Sequence, residues 1–315
     1  MTMGPAGATR AAVYGLGMAL RAPGLLAAIV LVTIISAVPF ALAIEGPVMD
    51  SLAIQPPVSS LSASEVDPEW WQEFRRHAGG LAATFTPAIL GFAAPLESVS
   101  AVLDGTRRPW ALAAPIVVSA IAWALLWGGI LHRFSTGRTS LREFSAAAAR
   151  HFVPMLTITL IAAAAGLVLY LTIHPLLLDV VYGAVSPRMS SERNAFFVRV
   201  ALYLAFGGML MTVNAVFSFA RVYVVGGDRR VLGAVARGWA FVRGNLWTVT
   251  SLYVIFLVIF AAAMIGYGTA EAMGGARVGG WRAVVIGQAF VVFRLGLRLA
   301  FSAAQVRLAG TAAPQ

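Results

Sequence analysis

Residues 219–270 read FARVYVVGGDRRVLGAVARGWAFVRGNLWTVTSLYVIFLVIFAAAMIGYGTA, and this stretch decides the fold. From Gly244 to Ala270 it runs 27 residues without a charge. A bilayer core needs about 20 apolar helical residues, so this run predicts a membrane span. The basic segment before it has another pattern. Asp228 is expected as an N-cap. Val231/Leu232, Val235, Trp239, Val242 and Leu246 then recur at three- and four-residue steps. Arg229, Arg230, Arg237 and Arg243 lie largely off that stripe. The pattern predicts an amphipathic helix lying in the cytoplasmic headgroup layer. The unit is an interfacial helix, an elbow and a span.

Working outward, the whole chain has the same character. Of its 315 residues 59% are hydrophobic and 11% charged, far from an average soluble domain. Cysteine is absent, which excludes disulfides, thiolate metal sites and cysteine nucleophiles. All 23 basic residues are arginine, so lysine Schiff-base chemistry and a P-loop lysine are excluded too. The net charge of +10 is better explained by arginines at cytoplasmic helix ends than by nucleic acid. The lysine-free, Ala/Gly/Arg-rich composition resembles that of a GC-rich bacterial genome.

The N-terminus carries a weak copy of the elbow, with Arg10 and Arg21, a joint at Pro23 and an uncharged first span over 22–44. Ala41-Leu42-Ala43 resembles a signal-peptide cleavage site, but the run is longer than a usual signal core and a retained span is expected. Residues 45–109 form an extracytoplasmic loop with eight of the 13 acidic residues. In it, Asp67-Pro68-Glu69 predicts a helix start. Trp70 and Trp71 predict anchoring at the headgroups, with a ligand-binding aromatic patch as the alternative. The proline-broken run 81–96 predicts a re-entrant or interfacial segment. The second span is expected over 109–131. Ser140 and Glu143 match a capping box that opens a second elbow. Pro154 marks its joint, the third span follows over 152–173, and His174-Pro175 ends or bends it. A fourth span is expected over 196–220 and a fifth in the opening stretch. A sixth rests on 283–293, the only charge-free part before Arg294 and Arg298.

The expected fold is therefore all-α: a single transmembrane domain over 1–315, a bundle of about six helices in three repeat-like units, 1–131, 132–219 and 220–315. MALRAPGLLA, AAARHFVPML and WAFVRGNLWT each end a basic amphipathic segment at the start of a span; internal repeats are common in membrane folds. The N-terminus, 132–151, 221–243 and the C-terminal end hold 14 arginines, against eight in the opposite loops. Both termini are expected in the cytoplasm, which places the chain in a bacterial inner membrane.

GGIL (128–131), SERNAFFVRVALYLAFG (191–207) and ARVYVVGGDRRVLGAVARGWAFVRGN (220–245) resemble an uncharacterised family of bacterial six-span membrane proteins. More loosely, the layout is similar to the membrane domain fused to some bacterial glycerophosphodiester phosphodiesterases. The resemblance spans about residues 110–270 and carries no catalytic motif. Those fused enzymes keep their chemistry in a separate soluble barrel, for which this chain is too short.

No catalytic site is expected. His77, His132, His151 and His174 show no metal-binding spacing, and no GxSxG elbow is present. No cofactor or metal is implied. Arg199, Asn214, Gln288, Arg294 and Arg298 are the polar groups within the expected spans. Arg294, Arg298, Ser302 and Gln305 share one helical face. Arg294, Arg298 and Arg199 are the candidates for binding an anion or an anionic lipid, with snorkelling to the headgroups as the plain alternative. The expected partners are membrane lipids, anionic headgroups among them, and an unidentified protein. The functional expectation is a non-enzymatic scaffold or accessory protein. A transporter of a small or lipidic anion is the alternative, and an intramembrane lipid enzyme ranks last.

Overall fold

A computed structural model describes residues 5–54, 68–85, 103–104, 110–228, 230–270 and 281–312. Helix α1 is Pro5–Leu20, α2 Pro23–Ile54, α3 Pro68–His77 and α4 Ala113–Thr136. Next come α5, Leu141–Val168, and α6, Glu192–Val225. The last three are α7, Val231–Gly244, α8, Leu246–Ala270, and α9, Trp281–Ala312. Six helices are long and apolar enough to cross a membrane: α2, α4, α5 with its extension, α6, α8 and α9. The chain is a polytopic membrane helical bundle, with no strand among the described residues.

Several helices run further than their charges suggest. α2 runs through Pro39 within the expected first span, then continues ten residues past its expected end, through Pro47, to Ile54. The loop expected from residue 45 therefore begins as helix. The third span shows the largest difference. Pro154 does not interrupt the helix, which runs on from Leu141 to Val168 with Ala147, Ala148, Met155 and Ile158 buried. Nor does His174-Pro175 end it. Two wide π turns, Leu169–Ile173 and Leu176–Val181, carry the helix past the proline; such turns absorb a lost backbone hydrogen bond. The result is 48 continuous helical residues, Leu141–Arg188, about 70 Å of axis at helical rise.

Local rules hold at other ends. Ser140 and Glu143 form the reciprocal capping box, at 3.2 and 2.8 Å. Gly137 leaves α4 with φ +83°, in the region that favours glycine. α7, however, starts at Val231 with Arg230 as N-cap. Asp228 is not the cap. Its carboxylate pairs with Arg237 at 3.1 Å. The buried face of α7 is Ala234, Gly238, Phe241 and Val242, whereas Leu232 and Trp239 of the expected stripe are 73% and 52% exposed. Leu232 and Trp239 face outward, whereas Val242 of the expected stripe turns inward with Phe241 and the small residues Ala234 and Gly238.

That small face belongs to a recurring contact. A Cβ on Gly238 would lie 2.5 Å from the Val216 carbonyl of α6. One on Gly128 of α4 would lie 2.9 Å from the Ala147 carbonyl of α5, and one on Gly15 of α1 would strike the Ala300 carbonyl of α9. Small residues let membrane helices approach this closely. All three contacts lie toward the bundle end that holds α1 and the C-terminus of α9. α9 is central, touching α1, α2, α4, α6 and α8. At the opposite end, Trp70 and Phe74 of α3 are 3% and 4% exposed and rest against Val48 and Leu52 of α2. The expected headgroup anchoring thus gives way, for Trp70, to a small satellite core. Asp67 and residues 86–96 of the expected re-entrant run lie outside the described residues.

Candidate functional site

α9 runs unbroken through both of its intramembrane arginines, because helical backbone satisfies itself whatever the side chain. The midpoint of its apolar stretch, Val284–Gly310, falls beside Arg298, and the midpoint of Trp110–Thr136 is Trp123. These two residues meet. The Arg298 guanidinium carbon sits 3.4 Å from the Trp123 ring centroid and 5.2 Å from that of Trp127. Along the helix axis Arg298 is about 18 Å from Gly310 at helical rise. That exceeds the reach of an arginine side chain, and the guanidinium instead rests on the α4 indoles.

A second arginine approaches the same indoles. Arg221 of α6 lies over Trp127 at 5.7 Å. Its Nε is buried and has no hydrogen-bond partner among the described residues. Sequence reasoning places Arg221 in the basic interfacial segment, since the fourth span is expected to stop at 220. The helix continues to Val225, and that extension carries Arg221 into the bundle. Behind it, Asn214 Nδ2 donates to the Tyr253 hydroxyl at 3.1 Å, and Ser218 reaches the same hydroxyl.

The two guanidiniums border an open groove of about 400 Å³. Its wall on α4 includes Ile116, Ser119, Ala120, Trp123 and Trp127, and Thr159 of α5 completes it. Among the described residues, no acidic side chain lines it. Neither Arg221 nor Arg298 forms an ion pair with a described residue. The energy balance is therefore incomplete. An arginine at a span centre costs about 2.5–3.5 kcal/mol on insertion scales. A desolvated indole stack returns about 2 kcal/mol. Two neighbouring cations also repel, so the site retains positive charge that an anion would neutralise.

The other candidates are distributed differently. Arg294 and Arg298, one turn apart, are both exposed, and Arg294 makes no hydrogen bond or ion pair with a described residue. Further along the same face, Ser302 donates to the Arg298 carbonyl at 2.7 Å, and Gln305 is 4% exposed with its Nε2 unpartnered among the described residues. Arg199 is remote from the groove. It donates to the Tyr203 hydroxyl at 3.1 Å, which in turn donates to Asp104 at 2.7 Å. Arg230 and Arg243 are exposed at the two ends of α7, and Arg237 is held by Asp228. Arg229 lies outside the described residues. His77 is paired with Glu73 at 3.2 Å, and His174 meets the Leu103 carbonyl at 2.9 Å. Among the described residues, no cluster of histidine or acidic side chains could hold a metal ion.

A family model described as a domain of unknown function, DUF7847, matches residues 74–311. No curated protein and no solved structure matches the chain, and nothing in these comparisons links it to the glycerophosphodiester phosphodiesterases.

Proposed function

We propose that this chain, which belongs to the DUF7847 family, is a non-enzymatic protein of the bacterial inner membrane that binds an anionic lipid between Arg221 and Arg298. One observation carries the reading: two guanidiniums share Trp127 at 5.2 and 5.7 Å, in an open groove whose described lining holds no acid. An anion about 4 Å from one guanidinium gains about 4 kcal/mol at an effective dielectric of 20. That is of the size of the cost of placing an arginine within a span. The role this implies is accessory: a lipid-dependent scaffold, with both termini in the cytoplasm as the arginine asymmetry supports. The units 1–131, 132–219 and 220–315 are read as three copies of one plan, which the recurring approaches at Gly15, Gly128 and Gly238 support.

A second reading, movement of a lipidic anion across the membrane, draws on the groove's direction. It follows α4 from Trp127 through Ser119 to Pro115, away from the bundle end that holds the termini. A headgroup held at Arg221 and Arg298 would lie at the inner end of that groove.

Lipid analysis of the purified protein tests the first reading. Enrichment of anionic lipid over the host membrane is expected in the natural chain and should disappear in Arg221→Met/Arg298→Met. Equal lipid profiles for both would refute it. Transbilayer movement of a labelled anionic lipid in proteoliposomes, abolished by the same pair, would select the second.

A further inference from the structure

We infer that the groove's ligand is a lipid phosphomonoester, whose headgroup carries nearly two negative charges, and not a zwitterionic lipid or a singly charged phosphodiester. The inference rests on the anion-binding reading above and specifies its ligand.

Three features of the groove select this chemistry. The first is charge. Two guanidiniums flank one indole and no acid among the described residues lines the site. A zwitterionic headgroup would bring an ammonium with no carboxylate in that described lining to receive it. A phosphodiester would neutralise one of the two cations, whereas a phosphomonoester near neutral pH carries −1.5 to −2.

The second is donor geometry. Arg298 lies over the Trp123 ring at 3.4 Å, so one face of the guanidinium is engaged with the indole. Its N–H groups lie in the guanidinium plane and stay free for a planar, paired grip on oxygens. Arg221 offers a buried Nε with no partner among the described residues. A monoester has three terminal acceptor oxygens for these donors, one more than a diester. Ser119 and Thr159 add neutral hydroxyls to the lining.

The third is access. The groove holds about 400 Å³, enough for a headgroup and too little for a whole lipid. Its α4 wall is apolar at Pro115, Ile116 and Ala120, and Ile116 is 57% exposed on the bundle's outer surface. Acyl chains can stay in the bilayer while the phosphate sits inside. This geometry suits a lipid, whose chains lie along the apolar α4 wall while its headgroup meets the two guanidiniums.

The test uses the full chain in mixed micelles, with native mass spectrometry of bound phosphatidic acid, phosphatidylglycerol and phosphatidylethanolamine supplied in equal amounts. Phosphatidic acid should be retained about tenfold over phosphatidylglycerol, and phosphatidylethanolamine least. Arg298→Lys keeps a charge and loses the fork, so it should lower the preference while the protein stays monodisperse. A second readout needs no variant. Acidification below about pH 6 removes the second phosphate charge and should erase the preference for phosphatidic acid over phosphatidylglycerol. Equal retention of the two anionic lipids, both lost in Arg298→Gln, would overturn the phosphomonoester inference and leave the anion reading standing. No enrichment of either over phosphatidylethanolamine would overturn both. Thermal stabilisation by inorganic phosphate, without retention of phosphatidic acid, would overturn the lipid assignment.

Discussion

The stack of Arg298 on Trp123 gives a sharp energetic prediction. Trp123→Leu removes the indole face from a guanidinium 3.4 Å away and leaves an apolar side chain in its place. Leucine also loses the tilted contact with Trp127, whose ring lies 5.4 Å from Trp123. The aromatic contact contributes about 0.5–1.5 kcal/mol. The cation stack contributes about 2 kcal/mol where desolvated. The single variant confounds these, so the informative quantity is the coupling with Arg298→Met. In a double-mutant cycle the Trp123–Trp127 and area terms cancel and the cation stack remains. Equilibrium unfolding in mixed micelles should therefore give a coupling of about 1–2 kcal/mol between Trp123→Leu and Arg298→Met. The same cycle with Trp127→Leu should give less, since that ring is 5.2 Å away. Additivity of Trp123→Leu and Arg298→Met within about 0.3–0.5 kcal/mol would refute the stack. Arg298 would then lie elsewhere, and the groove would lose its donor.

Three further outcomes are expected. Gly238→Val places atoms against the Val216 backbone carbonyl, which cannot move as a side chain could, so thermal stability should fall by the equivalent of about 1–3 kcal/mol; unchanged stability would mean that α6 and α7 are further apart. Ser140→Ala removes one half of the capping box and should cost about 1 kcal/mol, with faster hydrogen exchange confined to the first turn of α5; exchange spread over the whole helix would point to another cause. Cysteines at Ser64 and Ser140 should be labelled from opposite sides of the membrane, and labelling of both from one side would contradict the six-span topology.

The spans were legible because hydrocarbon imposes one requirement, a long uncharged helix, that composition displays directly. Their ends were not, because charged side chains lie inside these helices and do not mark where they stop. α2 passes Glu45, α6 carries Arg221 inward, and α9 runs through Arg294 and Arg298. Backbone hydrogen bonding makes a helix indifferent to one charged side chain; only the tertiary surroundings determine whether that charge is tolerated. The capping box at Ser140 was readable because it is local. The pairing of Asp228 with Arg237, across nine positions, was not. The helical face of Arg294, Arg298, Ser302 and Gln305 was readable from spacing, but its receiving surface was not. Trp123 and Trp127 look like ordinary span aromatics until α4 is set beside α9. Had Arg221 been counted with the intramembrane arginines, two unpaired cations would have been visible, though not their shared indole.

The most direct measurement is an electron cryomicroscopy map of the protein in nanodiscs that contain anionic lipid. Headgroup density should lie between Arg221 and Arg298, within hydrogen-bonding distance of both guanidiniums, with acyl density leaving past Ile116. A groove filled only by hydrocarbon chains, with Arg298 turned away from Trp123, would contradict the account.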